Sequence, residues 1–348
     1  MRDTVVTNTA ALWGIGLRVG GCPNCGAAHL LPVEQSAPTC PNCFAAQLVA
    51  QPARLHPIPP ELYLPFTVNK FQLFTALNDW MRGVWPPPDE LDVHALQTRA
   101  VKTYLPLWLV DGAVVGSWQA RVGYDDQSAN AQKDHEARQA AARWESRSGA
   151  LNQVYHNVTA PALEDHDQLM SRLGGYPIQE AIPYNITTLY DAVVRAPSLL
   201  PDEAWPRAQT KFDKLAAADC RAAADAQYID EFKLQAEYRD RNWTQLLLPV
   251  YTTAYRDDAG NVIPVMINGQ TGQVAGKRRA SRKKGWLWSG LIAVVAVLCF
   301  IAAAALSLLW ALSPLIVLLS AFLFLVSLVI AFVAPLPALY VWRTNHSE

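Results

Sequence analysis

Charge is what one long part of this sequence lacks: across 57 residues from Trp286 to Trp342 there is no Asp, Glu, Lys, Arg, His, Asn or Gln. Such a run excludes an ordinary solvated surface. It reads as two membrane crossings, since a helix spanning a hydrocarbon core of about 30 Å needs about 20 residues. A buried helical hairpin in a large soluble protein and a re-entrant hairpin are the competing readings. A second absence lies near the N-terminus. Between Gly20 and Ala53 there is no Lys or Arg, only His29 and the acid Glu34. That argues against DNA or RNA binding by this stretch, because phosphate contacts come from clustered Lys and Arg. Catalytic signatures are missing too: no G-x-S-x-G or H-E-x-x-H occurs, and the seven histidines are scattered. Met1 to Asn8 is polar with no long apolar region behind it, so no secretory signal is expected and the first membrane-inserting segment is the C-terminal one.

Within the uncharged run the natural break is Ser313-Pro314, because proline suits a first helical turn and disfavours helix before it. The expected spans lie near 287–309 and 315–335. Trp286, Trp288 and Trp310 fall at the ends of the first, with Tyr340 and Trp342 beyond the second, where amphipathic rings favour the headgroup layer. Directly before the run, Lys277, Arg278, Arg279, Arg282, Lys283 and Lys284 put six cations into eight residues. By the positive-inside rule this collar is cytoplasmic, and two crossings return the tail, 343–348, to the same side. The expected location is therefore the cytoplasmic (inner) membrane, multi-pass, with both termini cytoplasmic and the collar against anionic lipid headgroups. Of 29 Lys/Arg and 30 Asp/Glu, seven and one lie after residue 276, which leaves the preceding part with a formal charge of -7. An acidic body carries a basic collar.

Cysteine is sparse: Cys22, Cys25, Cys40, Cys43, Cys220 and Cys299 are all there is. Cys22-Pro23-Asn24-Cys25 and Cys40-Pro41-Asn42-Cys43, fourteen residues apart, have the spacing of a zinc ribbon, in which each turn presents two thiolates and the pairs complete a tetrahedron. One structural Zn2+, or iron in its place, is the expected cofactor; thiol redox exchange is the alternative. Four cysteine ligands leave no open coordination position for catalysis. Cys220 lies in an Ala-rich helical pattern and reads as a packed thiol, and a cytoplasmic location argues against disulfides.

The expected fold class is α+β: an N-terminal zinc ribbon (1–51), a Pro-rich linker (52–66), an antiparallel-sheet domain with several helices (67–276), the collar (277–285), a two-helix transmembrane hairpin (286–342) and the tail. The spacing of Phe71, Leu73, Phe74, Leu77, Trp80 and Met81 predicts a helix, and a second short one follows over 89–102. Strands are expected over 104–110, 114–124 and 143–159, with Asp111-Gly112 as the first turn and the polar stretch 125–142 as an exposed loop or short helix. Helices are expected over 162–173 and 202–227, the latter with Trp205, Ala208, Phe212, Leu215 and Ala216 on one face. Alternation from Phe232 to Arg239 predicts a half-exposed strand, and further strands are expected over 244–256, 262–268 and 273–276. Asn268 to Gly272 reads as a tight connection, Glu164 to Asp167 as an acidic helix start. Tyr104-Leu105-Pro106-Leu107-Trp108 is echoed in Leu247-Leu248-Pro249-Val250-Tyr251.

The terminal C-P-x-C-G ribbon, the Pro-rich linker, Tyr104 to Asp111, Leu247 to Tyr251, Asn268 to Gly272 and the hydrophobic hairpin together resemble a bacterial family of membrane proteins often labelled for a TFIIB-type or primosomal-helicase-like zinc ribbon. Helicase motor motifs are absent: Gly272 to Lys277 has one residue too few between its glycines for a phosphate-binding loop, and Arg278 stands where Ser or Thr is needed. Phe44, after the second C-P-N-C, departs from the Gly common in such ribbons, and Tyr251 from a Trp. The resemblance implies a membrane-stress scaffold working beside SPFH-type and phage-shock-type proteins. The expected function is therefore a non-catalytic, membrane-anchored adaptor that recruits soluble or SPFH-type partners, with homo-oligomerisation left open. Its alternatives are a membrane-tethered nucleic-acid-binding ribbon and an enzyme of unknown class in the β domain.

Overall fold

The computed structural model describes residues 13–14, 16–33, 38–50, 59–124, 143–309 and 313–346. The first twelve residues of the expected ribbon, the start of the expected linker, the polar stretch 125–142, Trp310 and the last two residues lie outside the described residues. Two strands form the spine: β5 (Val101–Tyr124, 24 residues) and β9 (Tyr228–Arg256, 29 residues) pair antiparallel along almost their whole length. At about 3.3 Å per residue β5 runs about 80 Å. The remaining strands are β1 (Leu17–Gly21), β2 (Ala28–Pro32), β3 (Val49–Ala50), β4 (Leu62–Tyr63), β6 (Arg143–Pro161), β7 (Ile182–Pro183), β8 (Ala192–Arg195), β10 (Val262–Asn268) and β11 (Val274–Gly276). They assemble in the order β11-β10-β9-β5-β8-β2-β1-β3, with β6 also on β5, β4 on β9 and β7 on β4.

The expected turn at Asp111-Gly112 is instead a bend inside β5. Val110 and Ala113 both keep β9 partners, and each neighbour bulges opposite the dipeptide, with Asn157 and Asp240 at positive φ. The Asp111 carboxylate accepts the Asn157 N–H at 2.7 Å, which supplies a partner where the ladder slips. Likewise 232–239 and 244–256 are one strand, not two. The echoed segments pair with each other, Tyr104 opposite Pro249 and Pro106 opposite Leu247. Each proline falls at a gap on the far edge of its strand. Pro106 lies between the end of β8 pairing at Tyr104 and the start of β6 pairing at Leu107, and Pro249 between β4 at Leu247 and β10 at Val250. A missing N–H costs no ladder bond there.

Helices α1 (Lys70–Met81), α2 (Val93–Arg99) and α3 (His166–Leu173) pack at the β10–β11 end, α1 starting from a capping box between Asn69 and Gln72. Helix α4 (Pro201–Ala224) lies across the upper part of β5, β6 and β9. Its buried residues recur every fourth position, Ala204, Ala208, Phe212, Ala216, Cys220 and Ala224. The small side chains bring the helix close to the sheet, and Gly112 leaves the space that the Phe212 ring fills. Leu215, expected on this face, is 43% exposed. A four-residue stripe advances about 40° per step round a 3.6-residue helix, and at the level of Phe212 and Ala216 position 215 lies about 60–100° off it, on the flank of the contact.

The expected separation of ribbon, linker and body does not appear in the hydrogen bonding. Strand β2 pairs with β8 through His29 and Leu30, extending one sheet from the N-terminal strands into the body. In the expected linker, Leu64 is fully buried and β4 pairs with β9. At the C-terminus, α5 (Arg282–Ser307), α6 (Pro314–Val333) and α7 (Leu336–His346) form the apolar hairpin. Buried residues recur every seventh position, Ser289, Ala296 and Ala303 on one arm against Ser320, Ser327, Ala334 and Val341 on the other, with Gly285, Pro337 and Asn345 also buried at the collar end. Small residues at that period let two helices approach closely.

Phe212→Ala should destabilise the protein by about 3–5 kcal/mol, because it removes the ring between Tyr155, Trp205 and Tyr238. Leu215→Ala should stay within about 0.5 kcal/mol. Denaturant unfolding of the two variants checks the assignment of the buried face.

Candidate metal centre

Two turns of the same construction build the centre. In the first, the Gly26 N–H donates to the Cys22 carbonyl and the Cys22 N–H to Ala27; in the second, Phe44 donates to Cys40 and Cys40 to Ala46. The residue after the second cysteine takes positive φ in each, Gly26 at 72° and Phe44 at 53°. Glycine meets that requirement at no steric cost, whereas a phenylalanine there is strained. Phe44 lines a cleft between the cysteine turns and the body with Glu90, Arg99 and Tyr255, a place a glycine leaves empty.

The four sulfurs of Cys22, Cys25, Cys40 and Cys43 lie within 4.8 Å of one another, with Cys22 to Cys43 at 3.5 Å and Cys25 to Cys40 at 3.8 Å. A tetrahedral ion with metal–sulfur bonds of about 2.3 Å requires sulfur–sulfur edges of about 3.8 Å. The donor set therefore fits a metal ion. Burial pushes the Cys40 and Cys25 thiols up. For Cys22, burial acts in the same direction but the N–H groups of Cys25 and Asn24 outweigh it, bringing the thiol to about 7. With the Cys22 thiol so readily ionised, a bound cation is what would also ionise Cys25 and Cys40, which burial holds protonated.

Asn42 links this cluster to the body. Its side-chain N–H donates to Cys25 Sγ at 3.5 Å, and its Oδ1 accepts from Arg195 at 3.4 Å. Arg195, on β8, also pairs with Asp165 at 3.0 Å and is nearly buried. Four thiolates on a divalent ion carry a formal charge of about -2, and through Asn42 the Arg195 cation stands two hydrogen bonds away. Arg195 escapes sequence reasoning because it stands about 150 positions from the ligands; the C-P-N-C motif does flag Asn42. His29, paired across β2–β8 with Arg195, is buried, and neither ring nitrogen has a partner among the described residues. Burial, reinforced by the Arg195 charge, lowers its pKa to about 4.

The basic collar divides in two. Lys284 reaches Asp89 at 2.7 Å and the Pro87 carbonyl at 2.8 Å, and Arg279 donates to the Asn345 carbonyl. The backbone of Ala280 exchanges hydrogen bonds with the Asn345 side chain, and Tyr255 Oη bridges Lys277 and Arg279. Lys277, Arg278, Arg282 and Lys283 are exposed. Arg282, Lys283 and Lys284 form the first turn of α5 rather than a linker before it. That turn is capped by Ser281 Oγ, and the Asp258 carboxylate accepts the Lys283 N–H at 2.9 Å.

No family model and no solved structure matches the chain. It is 25% identical over 250 residues to the uncharacterized protein YdjG of Bacillus subtilis (strain 168), an alignment covering 67% of this chain and 68% of that one.

Two outcomes follow from this geometry. Elemental analysis of the purified full chain should give one metal ion per chain, lost in Cys40→Ser and retained in Asn42→Ala with affinity lower by about 10- to 100-fold. His29 is held neutral when folded and protonates near 6.5 when unfolded. Its contribution is complete above that pH and falls away on acidification, by about 2 kcal/mol from pH 6.5 to 5. His29→Leu should lose correspondingly less stability over that range in denaturant titrations, metal release being common to both proteins.

Proposed function

We propose that the protein is a membrane-anchored, non-catalytic zinc-ribbon adaptor, with Zn2+ held by Cys22, Cys25, Cys40 and Cys43, that brings soluble or SPFH-type partners to the cytoplasmic face of the inner membrane. The observation that carries this reading is the unbroken mechanical path from the four-cysteine cluster to the hairpin. Hydrogen bonds run from β2 to β8, β5, β9 and β10, and from Tyr255 on β9 into the collar that begins α5. A ribbon so attached keeps a fixed position relative to the hairpin. Two helices are long and apolar enough to cross a membrane, and large side chains such as Leu291, Leu298, Phe322 and Phe332 point away from the protein. Lipid is the solvent that suits such surfaces.

The first turn of α5 supports an anionic surface at its end. Arg282 and Lys283 stand exposed where the helix dipole is positive, with the Asp258 carboxylate the acid at that turn, and a cation so placed costs about 0.3–1 kcal/mol. Anionic headgroups would offset that cost, each cation adding about 1 kcal/mol of attraction. The association with SPFH-type and phage-shock-type proteins rests on the family resemblance alone.

Arg282→Ala and Lys283→Ala should therefore leave unfolding stability unchanged or raised by a few tenths of a kcal/mol, while each weakens the preference for phosphatidylglycerol over phosphatidylcholine vesicles several-fold. In native membranes the full chain should resist alkaline carbonate extraction. Cross-linking from those membranes should capture defined partners that disappear in Cys22→Ser/Cys25→Ser. Extraction into the soluble fraction, or the same partners without the ribbon, would overturn the adaptor reading.

A further inference from the structure

The hairpin and its collar are not the only parts of the chain at the lipid level. The loop 83–89, between α1 and α2, is bound along the first two turns of α5. The Ser281 N–H donates to the Pro86 carbonyl at 2.7 Å, Lys284 Nζ to Pro87, and Tyr340 Oη to Gly83 at 3.5 Å. Val84, Pro86 and Pro88 are buried beneath it, yet Trp85 between them is 46% exposed. Its ring lies 6.4 Å from that of Trp288 and 6.2 Å from that of Tyr340, themselves 45% and 44% exposed.

The level of these rings follows from helix geometry. Trp288 is six residues beyond Arg282, about 9 Å further along α5. Tyr340 comes level with it from α7, because Gly285 abuts Val341 and the Ala338 N–H donates to Ser289 Oγ at 3.1 Å. Trp85 therefore stands past the cationic first turn, toward the apolar length of the hairpin, and not above it beside the sheet. A half-exposed indole continuous with an apolar helical surface, in a loop whose Pro87 carbonyl accepts from Lys284 Nζ, has the chemistry of the headgroup layer of an anionic bilayer.

Resting on the membrane reading above, we infer that the loop 83–89 is a third lipid-facing anchor, contributed by the body itself, with Trp85 inserted into the headgroup layer beside Trp288 and Tyr340. Two helices alone can tilt in the bilayer and carry the body attached to them along. A third contact, from α1 and α2, holds the long β5–β9 sheet at one inclination to the leaflet.

The test places the photo-cross-linker p-benzoylphenylalanine in the full-length protein at Trp85, Trp286 or Leu215, one position at a time, in vesicles of phosphatidylcholine and phosphatidylglycerol. Lipid adducts at 85 should approach the yield at 286 and exceed that at 215, on the exposed flank of α4, by at least about tenfold. Lipid adducts at 286 with only protein adducts, or none, at 85 would overturn the third anchor and leave the hairpin in the membrane. A cross-link from 85 to a second copy of the chain would overturn it in favour of a self-contact. Absence of lipid adducts at both 85 and 286 would overturn the membrane reading itself, and this inference with it.

Discussion

The ladder between β5 and β9 is the constraint on which the other elements depend. Each of these strands is several times the usual strand length, and each offers a second edge on which shorter elements are laid end to end: β8 then β6 along β5, β10 then β4 along β9. The four-cysteine cluster reaches the body through β2 and β8, the collar through β9, and α4 lies over the ladder from Trp108 to Val122. Prolines in the middle of such strands are tolerated because Pro106 and Pro249 stand where one neighbour has ended and the next has not begun.

Close approach is the second theme, and small residues make it possible in two settings. Alanines every fourth position let α4 settle on the sheet, with Gly112 making room for Phe212. Serines and alanines every seventh position bring the arms of the hairpin together, while the large side chains point away. The body and the hairpin meet at residues that serve both. Ala280 and Val341 belong to the same buried cluster as Leu77, Tyr255 and Val265, so removing 277–348 uncovers part of the body's own core.

Much of this was legible in order along the chain. The four cysteines announced their cluster through spacing alone, because each C-x-x-C turn is a local structure that closes on itself. The α1 pattern, the start of α4 near position 202 and the Asn268 connection were legible for the same reason, each being decided within about one turn of backbone. The bend at Asp111-Gly112 was not. The same dipeptide suits a hairpin turn or a bulge, and the choice rests on whether Val110 and Ala113 find partners on strands more than a hundred residues away. Leu215 was misplaced because an apolar residue in an amphipathic helix was assigned inward by type, whereas the four-residue alanine stripe sets the contact line.

The collar shows where the two kinds of information part. By itself the sequence determined that six cations precede an uncharged run long enough for two helices, since charge and hydropathy are properties of composition and need no partner. Only the tertiary structure decided what each cation does. Arg279 and Lys284 bind backbone carbonyls of the body and hairpin, while Arg282 and Lys283 remain exposed in the first turn of α5. Composition could not bring Trp85 beside Trp288, nor Arg195 beside Asn42. Those contacts depend on strand register and helix packing between segments about 150 to 200 residues apart, and side-chain type carries no record of such distances.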